Sequence, residues 1–120
     1  MAVTFKNEQG TIEIGEQVIA MIAGMAAMDS YGIVGMASRH QIKDGISELL
    51  KLDNLSKGIE VSVGENSLKV VIHIVVSYGV KISQVAQNIQ EKVKYILENH
   101  IGITVDEVSV VVQGVKVQAE

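Results

Sequence analysis

Cysteine, proline and tryptophan are all absent from this 120-residue chain. Without cysteine there is no disulfide, no thiolate metal site and no cysteine nucleophile. Without proline, punctuation falls to glycine, of which there are 11. Aromatic residues make up only 3% of the composition, so a core has to come from Val, Ile, Leu, Met and Ala. Arginine occurs once, at Arg39, and the formal net charge is −4. That sign opposes non-specific attraction to nucleic acid or to anionic lipid. The first apolar run, Val18–Met28, is shorter than the roughly 20 residues a membrane-spanning helix needs. Ahead of it stand Glu8, Glu13 and Glu16 with Lys6 the lone cation, unlike the basic start of a secretory signal. The expectation is a cytoplasmic protein, with any membrane contact peripheral.

What the chain does have is apolar material. The hydrophobic share is 48%, charged residues are 20%, and mean hydropathy is +0.30. That suffices for one domain over residues 1–120 with a single core, and it excludes long disorder. Thr11-Ile12-Glu13-Ile14 alternates as a half-buried strand does. A helix is expected from about Glu16 to Ser30, without a charge between Val18 and Met28, and with a small-residue strip at Ala20, Ala23, Gly24 and Ala27. A helix apolar all round is buried on more than one side, and part of that strip could also serve self-association. Ile33–Ala37 reads as a short strand. Ser38-Arg39-His40-Gln41 has capping-box form, opening a helix that stops near Leu52, with a turn at Asp53 and Asn54.

Ile59, Val61 and Val63 alternate with polar residues, and Gly64-Glu65-Asn66 turns into a longer strand. There Leu68, Val70, Ile72, Ile74, Val76 and Tyr78 share one face, while Lys69, Val71, His73, Val75 and Ser77 share the other. Ile82, Val85, Ala86, Ile89, Val93, Ile96 and Leu97 follow helical spacing. Val105–Val117 closes the chain as a strand whose apolar phase shifts at Gly114, the mark of a β-bulge. The order implies an α/β (α+β) two-layer sandwich: a mixed β-sheet with two long helices on one face and one short extra helix.

Chemistry is sparse. His40, His73 and His100 have no second ligand at metal spacing. No nucleophile elbow, Walker loop or dinucleotide fingerprint occurs, so no catalytic, cofactor or metal residue is assigned and an enzyme is not expected. Ser38, Arg39, His40 and Lys43 could gather an anion at a helix start, although a capped surface helix explains them as well. Gly32-Ile33-Val34-Gly35 has the Gly-x-x-Gly spacing of a KH loop. Its apolar middle suits a helix stop and strand entry better.

The blocks Gly10–Ile14, Val18–Ala23 and Tyr31–Val34, followed by Ser77–Gly79, Ile89-Gln90, Val108–Val110 and Gln113–Val115, resemble the alkaline shock protein family of Gram-positive bacteria. Tyr31–Ser38 with Gln41–Gly45 is similar to its YloU-type branch. Val71 and Ser109 depart from the Asp and Asn often found in relatives. The resemblance implies a cytoplasmic protein tied to envelope stress, found at the membrane through partners in some relatives, with no established catalytic residues. YloU-type genes also tend to lie beside one for a Dak-like fatty-acid-kinase-type protein. The function expected is therefore a non-catalytic interaction or scaffold module whose protein partners include itself. The mixed sheet face, Val71, His73, Val75, Ser109, Val111 and Gln113, is the expected contact surface. A KH-like nucleic-acid binder and an accessory for a small ligand or acyl chain are the rival readings.

Overall fold

A computed structural model describes residues 2–37, 52–64 and 67–117. Its centre is the longest strand, β5 (Ser67–Ser77). One edge of β5 pairs antiparallel with β4 (Ile59–Gly64) over residues 67–72, then with β3 (Ile33–Met36) over residues 74–76. Those two strands therefore lie end to end along that edge. The other edge carries β6 (Glu107–Lys116) in parallel from Lys69 to Ser77. The mixed sheet is as expected, and so is the bulge: the β5–β6 register slips between Ile74 and Val75, opposite Val112 and Gly114.

The alternation of β5 sets the layers. Leu68, Val70, Ile72, Ile74 and Val76 are each 0% exposed. Burial of each such side chain is worth roughly 1.5–3 kcal/mol. Over them lie α1 (Glu16–Met28) and α2 (Ile82–Ile101), in one continuous core. α2 contributes Val85, Ile89, Val93 and Leu97 at four-residue spacing, which lines them along one stripe. It ends where Gly102, at φ 84°, adopts the left-handed conformation and donates its N–H to the Glu98 carbonyl.

α1 uses its small residues inside the molecule. Ala20, Ala23, Gly24 and Ala27 are all buried. A Cβ on Gly24 would stand 3.0 Å from the Cβ of Leu55, which belongs to a 3-10 helix over Leu52–Gly58. The strip therefore lets that short helix approach closely. It is not left free for a second copy.

At the amino-terminal end of α1 a separate two-stranded ribbon joins β1 (Ala2–Asn7) to β2 (Gly10–Gly15). Its turn is held by Asn7, whose Oδ1 accepts the N–H groups of Gln9 at 2.9 Å and Gly10 at 3.1 Å. Val3 pairs with Ile14 and Phe5 with Ile12, so one face of the ribbon is apolar.

Several expectations change. β2 was expected from its alternation, whereas β1 and a second, separate sheet were not. α1 stops at Met28 rather than Ser30, and β6 starts at Glu107 rather than Val105. The turn expected at Asp53 and Asn54 is part of the 3-10 helix, which buries Leu55 to 1% exposure. Tyr78 does not share the buried face: β5 ends at Ser77, and the ring is 72% exposed. The capping box from Ser38 to Gln41, the helix after it and Glu65-Asn66 lie outside the described residues.

α1 and α2 are also tied by charge. Lys92 Nζ lies 2.6 Å from Asp29 Oδ2 and donates to the Asp29 carbonyl at 3.0 Å. The hydrogen bond and charge of Lys92 hold the Asp29 carboxyl below its ordinary value near 3.8. A depressed carboxyl contributes stability above its unfolded pKa and loses it as pH falls through the lower folded one, so protonation of Asp29 weakens this tether under acid conditions. An NMR titration should find Asp29 titrating below the ordinary carboxylate range, and returning to it in Lys92→Met. Equal titration in both proteins would rule the tether out in solution.

Candidate interaction surface

The sheet face turned away from the helices is built from alternate residues of three strands. β5 supplies Lys69, Val71, His73 and Val75. β4 supplies Glu60 opposite Val71 and Ser62 opposite Lys69. β6 supplies Ser109 beside Val71 and Val111 beside His73, with Gln113 half-buried at the bulge. The register thus brings the six residues expected to form a contact face onto one side of the sheet.

Their exposure differs from expectation. His73 is 7% exposed and Val75 is 4% exposed, so the middle of this face is interior to the chain. Ala37, whose N–H donates to the His73 carbonyl at 3.2 Å, is buried as well. Of the six, Val111 remains exposed, at 39%, beside half-buried Val71, Ser109 and Gln113, while Glu60, Ser62 and Lys69 on the same face are exposed as well.

His73 contacts one ionisable group among the described residues, with Nε2 at 2.8 Å from Glu60 Oε2. A carboxylate can only accept, so the Nε2 proton points at Glu60. Among the described residues Nδ1 has no hydrogen-bond partner. His100 lies in the last turn of α2, where a cation suits the helix dipole. Among the described residues no group of three or more His, Cys, Asp or Glu is placed to hold a metal ion.

The KH-like spacing does not form a loop. Gly32 closes the turn after α1, and its carbonyl accepts the Ser77 N–H at 3.0 Å, while Ile33–Met36 is strand β3. A cavity of about 470 Å³ lies between β1, the Val63-Gly64 end of β4 and Ile103. The anion residues Ser38, Arg39, His40 and Lys43 fall outside the described residues.

Other apolar side chains face solvent. On α1, Val18 is 51% exposed and Met25 48% exposed. They stand two turns apart on one side, with Met21 and Ile22 half-buried between them. Ile12 on β2 is 51% exposed. At the far end of the sheet, Tyr31, Tyr78 and Val117 extend beyond the last paired residues of β3, β5 and β6, all largely exposed. Sequence reasoning missed these positions, although the uncharged stretch Val18–Met28 carried a signal for two of them. Among the described residues no helix is long and apolar enough to cross a membrane.

Comparison with known proteins agrees with this architecture. A solved MamM CTD structure superposes with a TM-score of 0.50 at 13% identity, covering 88% of this chain and 100% of the other. That likeness speaks to fold alone. In sequence, the chain is 50% identical to uncharacterized protein YloU of Bacillus subtilis (strain 168) over 117 residues, 98% of each chain. It is 44% identical to uncharacterized protein Spy1614 of Streptococcus pyogenes serotype M6, over 100% of this chain and 99% of the relative. Residues 4–117 match the alkaline shock protein family, described by its cell envelope-related function. With a match of that extent on a fold whose elements follow the expected order, the chain belongs to the alkaline shock protein family.

Proposed function

We propose that this protein is a non-catalytic interaction module of the envelope stress response, and that one of its partners is a second copy of itself. The observation that carries the reading is the apolar surface left in solvent outside the core: Val18 and Met25 on α1, and Val111 on the sheet. Exposed apolar side chains scattered singly need no explanation, but a row along one helix side is of the kind that marks protein contacts. The family's cell envelope-related description favours a place of work close to the membrane. In this reading the protein stays in the cytoplasm and reaches the membrane through a partner.

Light scattering at high micromolar concentration should give a mass above the 12.9 kDa of one chain. Val18→Glu with Met25→Glu should move that mass toward the monomer without unfolding the protein, because both side chains are half in water already. A wild-type protein that stays strictly monomeric removes self-association from the proposal.

A further inference from the structure

We infer that the end of the molecule where β5 and β6 run out beside the start of α2 is a direct docking surface for an anionic lipid bilayer. This goes beyond the function proposed above, in which a partner brings the chain to the membrane, and it does not depend on self-association.

A core face there outruns its cover. Val76 is fully buried on the helix side of β5, and its register partner Val115 shares that side yet is 48% exposed. Beyond them, Tyr78 donates its N–H to the Lys116 carbonyl at 3.0 Å. Tyr78 is 72% exposed and Val117 69% exposed. Ile82, which opens α2 one turn before the core residue Val85, is exposed too. Tyr31 joins them from the turn after α1, because the next residue, Gly32, accepts the Ser77 N–H and faces Val80 and Val85. Five large apolar side chains thus reach solvent at one end.

Their shape favours a soft surface. Side chains more than two-thirds exposed, as Tyr31, Tyr78 and Val117 are, protrude instead of lining a groove. A bilayer accepts such tips without a matching cavity. Tyrosine, with an apolar ring and a polar tip, is a residue of the membrane–water boundary.

Charge supplies the sign. Residues 30–34, 76–90 and 110–117 hold two lysines, Lys81 and Lys116, both exposed, and no carboxylate. Asp29, just ahead of the first stretch, is engaged by Lys92. α2 begins here with no acidic residue in its first turn and no side-chain cap, so the positive end of its dipole adds to the lysines. Carboxylates gather elsewhere. Glu8, Glu13 and Glu16 lie toward the other end of α1, and Asp106 and Glu107 at the start of β6. The net charge of −4 therefore conceals a positive pole. A molecule 58 Å long can turn that pole to anionic headgroups and keep those carboxylates beyond the screening length of about 8 Å.

Sedimentation with vesicles tests the inference. At low salt the chain should co-sediment with vesicles of equal parts phosphatidylglycerol and phosphatidylcholine, and less with phosphatidylcholine alone. Lys81→Gln with Lys116→Gln should weaken that binding roughly thirtyfold. Lys6→Gln with Lys94→Gln gives the same net charge away from the pole and should leave binding nearly unchanged. Tyr31→Ser with Tyr78→Ser should also lose binding, with an unaltered circular dichroism spectrum because both rings already stand in water. Equal losses from the two lysine pairs would mean a response to net charge alone and overturn the docking site. No sedimentation with either vesicle overturns it as well, whatever light scattering shows of self-association. If no vesicle binds and the pole variants turn a larger species into monomer, the occupant is a second copy and the inference fails.

Discussion

Gly32→Ala should lower stability by about 2–5 kcal/mol, measured by urea denaturation, although the change adds a single methyl group. Two independent costs meet at this residue. Its φ is +89°, in the region where an L side chain costs roughly 1–2 kcal/mol. A Cβ there would also lie 2.7 Å from Val85 Cγ2, a side chain that is 4% exposed and fixed in the core between α2 and the sheet. Overpacking of that sort costs roughly 1–3 kcal/mol more. Gly102 separates the two terms. Its φ is +84°, yet none of the described residues lies within 4 Å of its Cβ position. Gly102→Ala should thus cost only the conformational part, about 1–2 kcal/mol. In a double-mutant cycle, Val85→Ala should offset part of the Gly32→Ala loss, because it removes the clashing methyl. Equal losses at Gly32 and Gly102 would show that the turn after α1 does not press on α2.

The same position explains how much of the fold could be read from residues. Gly32 was legible as a helix stop because glycine is the cheap residue for positive φ. Its contact with Val85, 53 residues downstream in the chain, had no local signal. The strands with clean period-two alternation, β4, β5 and β6, were legible for a like reason: one face of each meets the helices, so every second residue is apolar. α2 was equally clear from its four-residue spacing. α1 was legible as a helix but not in its orientation. With no charge from Val18 to Met28, neither the inward nor the outward side is marked, and only packing against Leu55 reveals that the small strip faces in. β1 was missed although Val3 and Phe5 alternate with Thr4, since a six-residue strand next to the amino terminus offers little pattern without its partner. The candidate surface was legible as a set and not in its exposure. Alternation says which residues share a face. It cannot say whether something lies over that face.

The measurement that decides this last point compares three substitutions along β5. Ile72→Ala should cost about 2–5 kcal/mol, the ordinary range for opening a cavity at a fully buried branched residue. Lys69→Ala, at an exposed position of the opposite face, should stay within about 0.5 kcal/mol. Val75 shares the face of Lys69, and a sheet with one dry and one wet side would make Val75→Ala nearly as cheap. Its 4% exposure instead predicts a loss of about 1.5–3 kcal/mol, close to the full worth of a buried valine. The gradient from Lys69 to Val75 along one face is then a gradient of burial, with His73 and its Glu60 contact in between. If Val75→Ala costs as little as Lys69→Ala, the outer face is open along its whole length, and all six of its residues return as a surface for partners. If it costs what a core valine costs, the accessible part of this face is Glu60, Ser62, Lys69 and Val111 with half-buried Val71, Ser109 and Gln113 beside them, and contacts made by the protein must draw on α1 as well.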